Sequence, residues 1–73
     1  MNLVRFILDQ RQHCTSEVHI NPEHVGTVMG PAFQDPDMTV ITTRDGMDWF
    51  VKRRLDDVLM LLQVARMQGP HPM

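Results

Sequence analysis

Four side chains able to ligate a metal fall in the first third of the chain: His13, Cys14, His19 and His24, spaced H-C-x4-H-x4-H. Imidazole and thiolate donors in tetrahedral array are what zinc demands. This spacing is not that of a zinc finger, and the elements around it work against a shared ion. On an extended segment His13 and His19 share a face with Glu17 while Cys14 faces the other way, so all four converge only if the chain bends. Surface imidazoles on a sheet edge are the expectation, and no metal or other cofactor is assigned.

Acid-base or hydrolytic chemistry needs a carboxylate pair, or a nucleophile with a base and an orienting group. Asp56 and Asp57 are adjacent on a helical segment and diverge by about a hundred degrees. They suit the first turn of a helix, where the dipole favours negative charge. His24 could act as a base, yet no motif places a Ser or Cys beside it. Gly26 and Gly30 are too isolated for a phosphate loop and read as bulge or turn positions. No catalytic residue is assigned, and the chain is expected not to be an enzyme.

Lys52, Arg53 and Arg54 form a short basic run, which with Arg44 could meet an anionic group. Asp45, Asp48, Asp56 and Asp57 offset it, so a solvated face with local ion pairs is expected. The whole chain has seven Lys plus Arg against nine Asp plus Glu, a net charge of -2, so no broad positive field collects phosphate backbones. A small nucleic-acid-binding regulator using Arg44 and Lys52 to Arg54 remains as an alternative.

At 73 residues the chain is expected to be one domain over 1–68 with a flexible tail over 69–73. A core this small is marginal and invites reinforcement. The single cysteine, Cys14, excludes an intrachain disulfide and fits a reducing compartment. As an unpaired thiol it is expected to be a buried or half-buried apolar group. The N-terminus lacks the long apolar region of a signal peptide, and no stretch is long enough to span a membrane. A cytoplasmic protein is the expectation. Seven Met, three Phe, one Trp and no Tyr suit an adaptable contact surface.

Alternation predicts a strand over Leu3 to Leu8 with Val4, Phe6 and Leu8 inward, then a polar turn over Asp9 to His13. A second strand is expected over Thr15 to Ile20 with Val18 and Ile20 on one face. Asn21-Pro22 ends it, Pro22 to His24 make one tight turn, and Val25 to Met29 resume as a strand. The loop Gly30 to Asp37 is expected to be exposed, with Phe33 pinning it to the core. Met38 to Lys52 reads as a hairpin about Asp45-Gly46, a two-residue type I′ turn. That register sets Arg44 opposite Met47, Thr42 opposite Trp49, Ile41 opposite Phe50 and Val40 opposite Val51.

The last element, Arg53 to Met67, is predicted to be a helix with two apolar stripes. Leu55, Val58, Leu59, Leu62 and Ala65 form the one that a sheet would cover. Met60, Leu61, Val64 and Met67 form the other, which needs more of the domain or another molecule. Gly69-Pro70 is expected to stop the helix.

The segments INPEHVGTVMG and MTVITTRDGMDWFVKRRLDDVLMLL give the chain a layout that resembles the small flagellar and swarming proteins of the FlbD and SwrD type. The matching positions are Ile20, Asn21, Val25, Thr39, Ile41, Thr43, Gly46, Val51 and Val58, within Val18 to Leu62. The loop Gly30 to Asp37 is longer, the helix more apolar and the tail different. The resemblance implies a non-catalytic accessory or regulatory protein and carries over no active-site residue. A phage- or plasmid-encoded inhibitor of a host protein is the alternative of similar size.

The expected fold is α+β: a small antiparallel β-meander or SH3-like partial barrel of about five strands with one C-terminal helix. The expected function is recognition of another protein, through Met60, Leu61, Val64 and Met67 with Trp49 or Phe50 as an aromatic anchor. A homodimer is the simplest cover for that stripe, and a heterologous target the rival.

Overall fold

The computed structural model describes residues 2–67. Its elements are β1 (Val4–Ile7), β2 (Glu17–Ile20), a 3-10 turn at Pro22–His24, β3 (Val25–Met29), β4 (Thr39–Thr43), β5 (Asp48–Val51) and α1 (Leu55–Met67). The five antiparallel strands form two sheets, β1-β2 and β3-β4-β5, which are not closed into a barrel. The fold is the expected α+β arrangement. The expected tail, with Gly69-Pro70, lies outside the described residues.

Period-two alternation explains the first sheet. Phe6, Leu8 and Ile20 turn inward and are buried, while Arg5, Glu17 and His19 turn out. β1 then runs on to meet β5: Leu8 bridges Val51, Lys52 N–H donates to Ile7 O at 2.8 Å, and Asp9 N–H donates to Phe50 O at 2.9 Å. This seam places the inner faces of the sheets around one core, Phe6, Leu8, Ile20, Ile41, Val51, Val58 and Leu62.

The hairpin forms in a different register from the one its Asp-Gly pair suggests. Thr39 faces Val51, Val40 faces Phe50, Ile41 faces Trp49 and Thr42 faces Asp48. Thr43 N–H donates to Met47 O and Gly46 N–H to Thr43 O, so the loop has three residues, Arg44, Asp45 and Gly46. Gly46 sits at φ +90, the left-handed position that completes a three-residue loop. The physical reason is Asp45, whose carboxylate accepts from the Thr43 hydroxyl and from Met47 N–H. A one-residue slip changes which side chains share a face. Thr39, Ile41 and Val51 are thereby buried together, and Val40 and Phe50 share the outer face.

Gly26 lies where the β3-β4 register shifts, the bulge its isolation suggested. The Gly30 to Asp37 loop is more tightly built than expected. Ala32 and Met38 are buried, Ala32 N–H donates to Met38 O, and Asp35 N–H to Ala32 O. Phe33 and Gln34 occupy φ 53 and φ 60 at its tip.

α1 packs on the 3-10 turn, β1 and β3 with Val58, Leu62 and Ala65 inward. Arg66 fastens its last turn by donating to Pro22 O at 2.9 Å. Asp56 and Asp57 occupy the first turn, as the dipole favours. Leu59, expected on the covered stripe, is instead 49% exposed, because a sheet this narrow covers only the arc centred on Val58, Leu62 and Ala65.

Candidate protein-binding surface

The outer face of α1 is set by helical spacing. Met60, Val64 and Met67 recur at i, i+4 and i+7, so they stack on one side. They are 61%, 41% and 66% exposed. Leu61, predicted with them, is half-buried and packs against the core. It lines a groove with Leu3, Val64, Arg5 and Arg53, and this groove joins the N-terminal segment to the helix face. Leu3 is exposed there as well, which widens the apolar surface.

Trp49 and Phe50 do not join that surface. Neither lines the grooves beside α1. They are drawn instead into an aromatic cluster with His13: Phe50 N–H donates to His13 Nε2 at 3.0 Å, and the imidazole stacks on Trp49 with centroids 5.5 Å apart. Phe33 stacks on Phe50 at 5.3 Å, so it is pinned to the outer sheet face and not to the core, and stays 63% exposed. Sequence reasoning missed this cluster, since His13 and Phe50 lie 37 positions apart and no local pattern joins them.

The four basic residues also separate. Arg44 lies in the hairpin loop, whereas Lys52, Arg53 and Arg54 follow the other end of β5, at least about 13 Å away along an extended strand. Arg53 approaches Asp57 at 4.0 Å, a local pair on the helix. The run is a solvated turn and does not combine with Arg44 into one anion-binding footprint.

The metal-capable residues disperse likewise. His13 is committed to β5, and His19 Nε2 lies 2.8 Å from Glu17 Oε2. His24 lines a cleft with His19 and Arg44. Among the described residues no group of three or more His, Cys, Asp or Glu could hold a metal ion. Cys14 is exposed, contrary to expectation, because the turn after Asp9 carries it outward.

Three carboxylates are tuned by their neighbours. Burial pushes Asp9 up, but the Arg11 guanidinium, donating at 3.1 and 3.2 Å, outweighs it and holds the carboxyl below the usual range. Hydrogen bonds from Arg5 and then His19 lower Glu17. The Thr43 hydroxyl and the Met47 amide lower Asp45. Each carboxylate is satisfied by a structural partner, which is how surface anchors behave.

Among the described residues no helix is long and apolar enough to cross a membrane. What the fold and surfaces define is a small α+β domain with an uncovered apolar helix face. No family model, curated protein or solved structure matches the chain.

Proposed function

We propose that this chain is a non-catalytic protein-binding module of regulatory or accessory type, acting in the cytoplasm through the outer face of α1. The observation that carries the reading is the exposure of Met60, Val64 and Met67 side by side on one helix face. Contiguous exposed apolar surface marks interaction sites, and Leu3 beside Val64 extends this row beyond the helix. The layout resembling small flagellar and swarming proteins supports an accessory role.

The first partner is a second copy. An antiparallel pairing of two α1 helices sets the acidic first turn of one, Asp56, near the last turn of the other, and opposes the two helix dipoles. The helix has 13 residues, hence is about 20 Å long, and one face of it covers roughly 200 Å², well short of the ~800 Å² per partner of a standard interface. Self-association is therefore weak and concentration-dependent.

Sedimentation from micromolar to millimolar concentration tests this. The wild-type mass rises with concentration, while Val64→Asp and Met60→Glu stay monomeric with unchanged melting temperatures. A wild type that remains monomeric throughout removes the homodimer. The same face would then belong to a different protein, as in the alternative of an inhibitor of a host protein.

A further inference from the structure

β2 and the β4-β5 hairpin share no ladder, so the side of the molecule away from the Leu8–Val51 seam is left open. The opening is a cleft of about 540 Å³, within the usual range for small-ligand sites. Val18, Ile20 and Trp49 give it apolar walls, while His19, His24 and Arg44 bring cationic or protonatable groups to it. None of its lining residues lies on α1.

We propose that this cleft binds a free carboxylate carried on an apolar group, as at the C-terminus of a peptide. Arg44 is the residue that selects the charge. Its backbone N–H is used, donating to His24 O at 2.8 Å, but its guanidinium has no hydrogen-bond or ion-pair partner among the described residues. The acidic residue lining the cleft, Asp45, has its Oδ1 engaged in the loop, where it accepts from the Thr43 hydroxyl and Met47 N–H, and it makes no ion pair with Arg44. A planar guanidinium offers two parallel N–H donors that match both oxygens of a carboxylate. The His24 imidazole stands beside Arg44 in the lining, and His19 keeps one ring nitrogen beyond the Nε2 that meets Glu17.

The rest of the cleft selects what carries the charge. Trp49 presents an indole whose Nε1 is engaged with Thr43 Oγ1 at 3.3 Å, so its remaining surface is apolar. An aliphatic side chain next to the carboxylate fills the space against Trp49 and Val18. An amide in place of the carboxylate has one acceptor instead of two and sets its own donors against those of Arg44. Inorganic anions lack the apolar body that the walls require.

Trp49 is the only tryptophan in the chain, so its fluorescence reports this site directly. The probes are N-acetyl-leucine, N-acetyl-leucinamide and a pentapeptide ending in leucine with a free carboxylate. Expected is a saturable fluorescence change with both acids, at least tenfold weaker binding of the amide, and at least tenfold weaker binding of the acids to Arg44→Gln. Carbon-proton correlation spectra of His19 and His24 shift with the acids. A pentapeptide that binds more tightly than N-acetyl-leucine assigns the site to a chain terminus, and equal affinities assign it to a small free acid. The proposal is overturned if no saturable change occurs, if acid and amide bind alike, or if Arg44→Gln, with its melting temperature unchanged, binds as the wild type does.

Discussion

The Thr39 hydroxyl donates to the carbonyl of Arg53 at 2.7 Å, joining the start of β4 to the turn between β5 and α1. Thr39 is fully buried on the inner face, and its hydroxyl would otherwise lack a partner in the core. The bond fixes where β5 ends. It also steadies a helix start that has no Ser, Thr, Asp or Asn immediately before Leu55. Thr39→Val keeps the shape and removes the donor. Denaturant unfolding is expected to show a loss of about 1–2 kcal/mol. A change within a few tenths would show that the junction is held by packing alone.

Gly46 governs the hairpin register through its backbone. A Cβ at this position would meet nothing within 4 Å, so Gly46→Ala tests the left-handed conformation without adding a clash. A cost of about 1–2 kcal/mol is expected, with Gly46→Asn less harmful. Cross-strand contacts between Ile41 and Trp49 in nuclear Overhauser spectra check the register itself. Contacts between Ile41 and Phe50 instead would restore the two-residue turn.

Acid is expected to weaken the fold, because the Asp9, Glu17 and Asp45 carboxyls are all lowered in the folded chain. Such groups stabilise fully above their unfolded values, and the contribution is lost as pH falls through the folded ones. Arg11→Met removes the guanidinium and leaves only the residue-11 backbone amide and the Lys52 charge to oppose the burial of Asp9. The stability gap between wild type and this variant is widest above the carboxylate range and closes in acid. Circular dichroism melts across a pH series measure it, and two parallel curves would remove Asp9 from the account.

Gln34 occupies φ 60 at the exposed tip of the Gly30 to Asp37 loop, a conformation that costs a residue with a Cβ roughly 1–2 kcal/mol. Gln34→Gly relieves this and is expected to raise stability by about 0.5 kcal/mol after the added chain entropy of glycine. Gln34→Val, with a branched Cβ, lowers it by at least about 1 kcal/mol. Thermal melts of both variants would separate strain from an indifferent loop.

What could be read from the residues depended on how local the cause was. Val4, Phe6 and Leu8 alternate without interruption, so the inward face of β1 was legible, as was Val25 to Met29 after its proline turn. The hairpin was legible as an element but not in register, because the Asp45 side chain holds three residues in the loop where the Asp-Gly pair alone suggests two. Met60, Val64 and Met67 follow from helical spacing. Leu59 does not, since its exposure depends on how wide a sheet the helix meets. The His13, Trp49, Phe50 and Phe33 cluster has no signature at all, being assembled from three separate stretches by tertiary packing.

The meeting of β1 with β5 rests on one bridge and the two amides of Asp9 and Lys52. In backbone hydrogen bonds alone the domain is a folder with one slender spine, filled by the shared core and α1, whose covers part on the side where Arg44 and Trp49 stand. Deuterium uptake at those two amides then counts how often the spine itself gives way. A guest that grips both covers slows that clock without touching either amide.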